Sequence, residues 1–232
     1  MILPKNIRRS KIIHVQLAMT DPIDWKYRIV RTLRLPRYLA STSVMGLSYA
    51  YTYFCVASEG FRDLFVRRGA DPNKIRVTGI PNFDNFVDIA RRSTFPYKDY
   101  VLVTTSDSRE THRYENRKAF IKRALEIAAG RTVVFKLHPC ENIERATSEI
   151  RRWAPGALVF SEGISVEMIA NCDVLIATYS STVLAGAVLG KKVVSKYDSN
   201  ELRGLAPVQH GRAAENIAEV CQSVLEETRV HA

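Results

Sequence analysis

The chain has 232 residues, 46% hydrophobic and 25% charged, which is ordinary globular usage and excludes a wholly disordered protein; eleven Gly and nine Pro exclude collagen-like or linker composition. The net charge of +10 is uneven, because residues 1–40 hold nine Lys/Arg (Lys5, Arg8, Arg9, Lys11, Lys26, Arg28, Arg31, Arg34, Arg37) against Asp21 and Asp24. A basic end of this kind implies an anionic partner (nucleic acid, a phosphorylated substrate or an anionic membrane surface) or else a solvated surface.

The four cysteines, Cys55, Cys140, Cys172 and Cys221, form no C-x-x-C pair. A chain of this size buries roughly 70% of its unfolded surface and needs no disulfide staples. Cys55 and Cys172, beside apolar runs, are expected as reduced core thiols of a cytoplasmic protein. Met1 to Arg9 contains no apolar signal region. The uncharged run Tyr38–Ser58 carries four Tyr, four Ser and two Thr, too polar for a membrane span.

In chain order, Lys11–Leu17 reads as a strand and Thr20–Pro36 as a loop with a basic amphipathic stretch. Phe54–Ser58 is a strand, Glu59–Arg68 a helix ended by Gly69, and Lys74–Thr78 a strand broken by Gly79-Ile80-Pro81-Asn82. After a boundary near Pro96 the alternation is regular. Strands are predicted at Tyr100–Thr105, Thr132–Leu137, Ala157–Phe160, Asp173–Ala177 and Lys192–Lys196. Helices are predicted at Tyr114–Ala129, Glu141–Trp153, Ser165–Asn171, Thr182–Leu189 and Ala213–Glu227. Strands alternating with helices, with near-continuous apolar strands, imply an α/β protein whose parallel sheets are covered on both faces.

Ligands of open parallel sheets sit beyond the carboxyl ends of the strands. Here those ends are polar: Ser106–Arg113 (with Ser106 and Arg109), His138-Pro139-Cys140-Glu141-Asn142, Ser161-Glu162-Gly163 and Tyr179-Ser180-Ser181-Thr182. The last of these precedes a small-residue helix with Ala185, Gly186 and Ala187. Free N–H groups at a helix start, joined by three hydroxyls, suit a phosphate or diphosphate, whereas ordinary capping needs one hydroxyl. Lys136 and His138 lie two apart and project from one strand face, so His138 points into the same crevice while Pro139 fixes the turn. No phosphate loop, G-x-G-x-x-G, G-x-S-x-G, H-E-x-x-H or D-x-D is present, and no metal or cofactor is expected.

Several segments resemble nucleotide-sugar enzymes of the GT-B superfamily, a group including UDP-N-acetylglucosamine 2-epimerases, capsule and polysialic acid transferases, and CDP-glycerol glycerophosphotransferases. The matching stretches are Val56-Ala57-Ser58-Glu59, Arg62, Gly69–Asn82, Lys136–Asn142 and Asp173–Lys191, within residues 54–232. The resemblance implies two Rossmann-like domains, placed at 1–97 (acceptor side, incomplete) and 98–232 (nucleotide-sugar binding). It also implies donor phosphates at His138, Ser180, Ser181 and Thr182, and the base at Ser161, Glu162, Gly163 and Ile164. Lys136, Glu141, Ser106, Arg109, Gly79 and Pro81 are the further cleft residues, Gly79 to Pro81 forming the crossing between domains.

Two departures stand out. The first domain is short, as though its first β-α units were missing. Leu17 and Ala18 follow the first strand where related glycerophosphotransferases place a catalytic base; His14 and Asp21 are near but do not match that position. The catalytic residue is therefore unassigned. The expected function is glycosyl transfer from a nucleotide sugar, UDP- or CMP/CDP-linked, in surface-polysaccharide synthesis, with a lipid-linked or polysaccharide acceptor at the inner membrane face. The alternatives are a 2-epimerase, for which Glu110, Glu115 and Glu141 are the available carboxylates, and a catalytically impaired nucleotide-sugar-binding fragment. Nucleic acid is not an expected partner, since no recognition-helix or stacking motif accompanies the charge.

Overall fold

The computed structural model describes residues 10–21, 23, 25–33, 35, 42–47, 50–111, 114–178 and 181–230, the last three by their backbone alone. Lys5, Arg8, Arg9, Arg34 and Arg37 of the basic end, His112, Arg113, Tyr179 and Ser180 lie outside the described residues. The chain divides into two compact units, Met1–Asn85 with Gly204–Ala232, and Phe86–Arg203.

The elements of the first 85 residues are β1 (Ile13–Val15), α1 (Trp25–Thr32), β2 (Tyr53–Val56), α2 (Glu59–Arg67) and β3 (Ile75–Val77), with 3-10 turns at Thr42–Val44 and Pro72–Lys74. β1, β2 and β3 form a parallel sheet in that order, with Ile13 opposite Tyr53 and Phe54 opposite Ile75. The Ser58 hydroxyl accepts from Phe61 N at 3.3 Å and starts α2, and the chain leaves the helix through Gly69 at φ 100°. Phe61 and Phe65 recur one helical turn apart, so both reach the sheet, where Phe65 packs on Phe54 at 4.8 Å between ring centres. The basic stretch expected between residues 20 and 36 is the helix α1, whose Tyr27 and Val30 are buried.

The second unit contains α3 (Phe86–Arg91), β4 (Tyr100–Thr104), α4 (Arg117–Ala128), β5 (Val133–Lys136), α5 (Ile143–Trp153), β6 (Leu158–Phe160), α6 (Ser165–Asn171), β7 (Cys172–Ala177), α7 (Thr182–Val188), β8 (Lys192–Val194) and α8 (Ser199–Gly204). Its sheet is parallel throughout in the order β6-β5-β4-β7-β8. β4 is central, and all five of its residues are buried. Val101, Val103, Phe135, Val174 and Ile176 pack with Ile121 and Ala124 of α4 and Ile150 of α5. Each such fully buried aliphatic or aromatic side chain contributes about 1.5–3 kcal/mol. Gly186 brings α7 against the sheet, because a Cβ there would lie 2.7 Å from Val193 and 2.8 Å from Leu175.

Among the described residues the strands fall where the apolar runs predict, three before residue 97 and five after it. Helix α4 starts at Arg117 rather than Tyr114, because the Asn116 side chain accepts from Ala119 N at 3.0 Å and leaves Tyr114 outside, exposed. The short helices α3 and α8 are not foreseen in the sequence. Whereas the sequence reading groups residues 98–232, the closing helix α9 (Ala213–Val230) belongs to the first unit. The Asp84 carboxylate holds its start, accepting from His210 N (3.1 Å), Gly211 N (3.0 Å) and Ala213 N (2.6 Å). Among the described residues no helix is long and apolar enough to cross a membrane.

Candidate functional site

The carboxyl ends of β4, β5 and β7 surround a cavity of about 300 Å³ lined by Thr104, Thr105, Lys136, Leu137, His138, Pro139, Ser165, Ser181 and Thr182. The strand order places these ends side by side, so residues from four segments meet in one place. Thr104 Oγ1 lies 3.0 Å from Thr182 Oγ1, tying the end of β4 to the first turn of α7. Ser181 occupies the position before that turn in a helical conformation (φ −61°, ψ −13°), and its hydroxyl makes no capping bond. Ser180 lies outside the described residues.

The backbone N–H of His138 donates to Thr105 Oγ1 at 3.0 Å, and its ring Nδ1 accepts from Cys140 N at 3.2 Å. An accepting Nδ1 carries no proton, so the neutral ring is protonated at Nε2 and is a donor there. Lys136 lines the same cavity as His138. It is buried, and its Nζ donates to Leu137 O at 3.2 Å and to Ser161 O at 2.8 Å. Burial pushes its pKa below the ordinary lysine value, with Glu162 opposing.

Ser161, Glu162 and Gly163 line a second cavity of about 420 Å³ with Phe95, Pro96, Val159, Phe160 and Met168. Phe95 and Phe160 meet edge to face at 5.3 Å. Gly163 turns at φ 95°, and a Cβ there would meet the Met168 methyl at 2.8 Å. Ile164 is largely exposed and stands before α6. Lys136 links the two cavities, since the carbonyl it holds belongs to the loop that lines the second.

Ser106, Arg109 and Glu141 do not line either cavity; they form an ionic cluster behind the first. The Glu141 side chain is 0% exposed and accepts from Thr105 Oγ1 (2.5 Å), Arg117 Nη2 (2.5 Å) and Arg109 Nη2 (3.4 Å). Arg117 also donates to Glu115 (2.5 Å), Arg109 to Glu149 (2.9 Å), and Ser106 Oγ to Glu115 (2.9 Å). Burial opposes the Arg109 charge, but Glu149 and its neighbours raise its pKa overall. Glu110 accepts from Asn142 N at 3.2 Å and pairs with Arg145. Burial alone would raise its pKa, yet these partners hold it below the usual carboxylate range. All three carboxylates considered as epimerase acids or bases are therefore bound by arginine.

Gly79 and Pro81 belong to the first unit and line neither cavity. Gly79 turns at φ 74°, where a Cβ would lie 2.9 Å from Val208 and 3.1 Å from Ala213. Among the described residues no group of three or more His, Cys, Asp or Glu could hold a metal ion. The sequence reading missed Thr104, Thr105, Ser165, Phe95 and Phe160. The paired threonines ending an apolar strand were the legible signal for the first two.

No protein-family model and no curated protein matches the chain. Solved structures do. A Listeria monocytogenes structure described as a candidate UDP-N-acetylglucosamine 2-epimerase matches with a TM-score of 0.62 and 12% identity, over 97% of this chain and 69% of the other. UDP-GlcNAc 2-epimerase from Neisseria meningitidis bound to UDP-GlcNAc gives 0.58 and 14% over 92% and 70%. The Methanocaldococcus jannaschii enzyme with UDP-GlcNAc and UDP gives 0.54 and 12% over 75% of this chain, which spans 62% of that enzyme's length. The chain has the GT-B-like α/β fold of these proteins, with two Rossmann-like units and parallel sheets, the first sheet the smaller.

Proposed function

We propose that the protein binds a nucleotide sugar in its second unit and transfers the sugar to an acceptor in surface-polysaccharide synthesis. The observation that carries this reading is the pair of adjoining cavities. One is walled by hydroxyls and the His138 ring, the other by aromatic rings, and Lys136 joins them. The first suits a diphosphate, with Ser181, Thr182 and, completing the segment, Ser180 as hydroxyl donors and His138 Nε2–H beside them. The second suits a base, of uridine or cytidine, stacked near Phe95 and Phe160 with Ser161–Ile164 at its edge. Fixed donors at the phosphates stabilise the charge that develops on the leaving nucleotide as the sugar–oxygen bond breaks. No tightly bound metal is needed for that step. Proteins of this fold solved with UDP-GlcNAc and UDP support the choice of ligand class.

The acceptor is read as lipid-linked or polysaccharide, at the cytoplasmic membrane face. Epimerisation is the second reading, favoured by the names of the similar structures. The pairing of Glu110, Glu115 and Glu141 with arginines weighs against it. A nucleotide-sugar-binding protein without turnover is the third. Incubation with UDP-GlcNAc separates them. With a membrane extract supplied as acceptor, release of UDP with the sugar recovered on that acceptor supports transfer, an isomerised sugar nucleotide supports epimerisation, and calorimetric binding without either product supports the third. No binding of UDP, CDP or their sugars would overturn the proposal.

A further inference from the structure

Helix α1 has two apolar faces. Tyr27 and Val30 point inward, and the Tyr27 hydroxyl donates to Arg68 O at 3.1 Å. Trp25, Ile29 and Leu33 recur four apart and are 65%, 42% and 64% exposed, so they form one stripe along the outer side of the helix and its last turn. Lys26 and Arg28, both exposed, flank them, Arg31 lies toward the inner side with its Nη1 donating to the Tyr27 hydroxyl at 3.2 Å, and no acid occurs from Trp25 to Leu33. On a helical wheel Lys26 and Arg28 fall on opposite sides of the stripe. Lys26 Nζ stays 5.7 Å from the Trp25 ring. Exposed Leu17 and Ile23 precede the helix in the chain.

A solvated helix has no use for a Trp-Ile-Leu stripe in water. A buried protein interface would deplete its centre of charge, whereas here cations border a narrow apolar line. An amphipathic bilayer surface matches both features. Trp favours the headgroup level, the aliphatic side chains reach the acyl boundary, and long cationic side chains extend to anionic headgroups. We infer that α1 is a membrane-docking surface, laid in the plane of an anionic lipid bilayer through Trp25, Ile29 and Leu33 with Lys26 and Arg28 on lipid phosphates. This names the contact for the membrane-face part of the proposed function. It stands apart from nucleotide binding, because α1 belongs to the first unit and the cavities to the second.

The experiment is co-sedimentation of the full chain with phosphatidylcholine vesicles, with and without phosphatidylglycerol, at about 50 mM and about 500 mM salt. Two variants, Trp25→Ser with Ile29→Ser and Lys26→Glu with Arg28→Glu, accompany the wild type. Binding of the wild type is expected on anionic vesicles, at least about tenfold weaker without anionic lipid or at high salt. Each variant should lose about tenfold or more while keeping its thermal midpoint and its UDP affinity. Wild-type binding that ignores lipid charge, binding equal in all three proteins, or no binding at all would each overturn the inference. So would concentration-dependent self-association abolished by the serine variant in the absence of vesicle binding, which would make the stripe a contact between copies. Because UDP affinity is measured in the same samples, failure of docking and failure of the nucleotide-sugar reading are told apart.

Discussion

The Thr105 hydroxyl donates to Glu141 across 2.5 Å and at the same oxygen accepts the backbone N–H of His138 at 3.0 Å. The hydroxyl O–H is directed at the carboxylate, which leaves an oxygen lone pair to accept from His138 N–H. A residue buried behind the cavity thereby sets the path of the His138-Pro139 turn that lines it. Thr105→Val keeps the shape and removes the relay, leaving a Glu141 oxygen and the His138 N–H without this partner. A stability loss of about 1–3 kcal/mol is expected in urea unfolding, with weaker UDP binding measured by calorimetry.

The two glutamates bonded at this edge should behave differently. Glu141 pairs with Arg117, whose side chain is 2% exposed, so Glu141→Ala leaves that buried cation with Glu115 alone and should cost up to about 3–5 kcal/mol. Glu110 pairs with Arg145, which is 43% exposed, and Glu110→Ala should cost under about 1 kcal/mol. Urea midpoints of the two variants, taken side by side, check the contrast. Equal losses would mean that burial does not govern the cluster.

Lys136→Met should separate the parts of the ligand. It preserves the packing of the stem and removes the Nζ bond to Ser161 O. With that loop loosened, UDP should bind less tightly while inorganic pyrophosphate binds nearly as before. Titration calorimetry with both ligands gives the comparison, and an equal loss for both would place Lys136 at the phosphates instead.

The first sheet carries a pH dependence of its own. His14 packs edge to face on Phe54 at 4.7 Å, and its burial lowers its pKa from the ordinary 6.5. Below pH 6.5 the unfolded chain therefore binds a proton that the folded chain resists. This contribution is fully favourable above about pH 6.5 and declines as the pH falls from there toward the folded pKa. The urea midpoint should drop between pH 7.5 and pH 5.5, and His14→Phe, which keeps the aromatic packing, should flatten that drop.

Much of the fold was legible because its signals are local. The run Tyr100–Thr104 is apolar at every position but the last, as a strand buried on both faces requires, and it is the central strand. The start of α4 was misread because Tyr114 continues the apolar pattern, whereas Asn116 decides the boundary through one side-chain bond. Helices α3 and α8 span six residues each, too short to display periodicity. At the site, His138 and Thr182 were visible as polar residues at strand ends. The burial of Glu141 was not, since Arg117 and Thr105 reach it from 24 and 36 positions away. Lys136 is legible as a cleft residue beside His138, whereas its bond to Ser161 O is not, because alternation along a strand does not say which carbonyl an ammonium will find.

The Asp84 carboxylate and the amides it holds lie 126 to 129 positions apart in the chain. Between them runs every strand of the five-stranded sheet, so that whole unit is threaded through the first one as an insertion. During synthesis, Asp84 leaves the ribosome long before Ala213 exists. The second unit, continuous from Phe86 to Arg203, has all its parts while the first still lacks its last helix. A chain stopped at Arg203 would carry every strand of the five-stranded sheet but not the helix start that Asp84 holds.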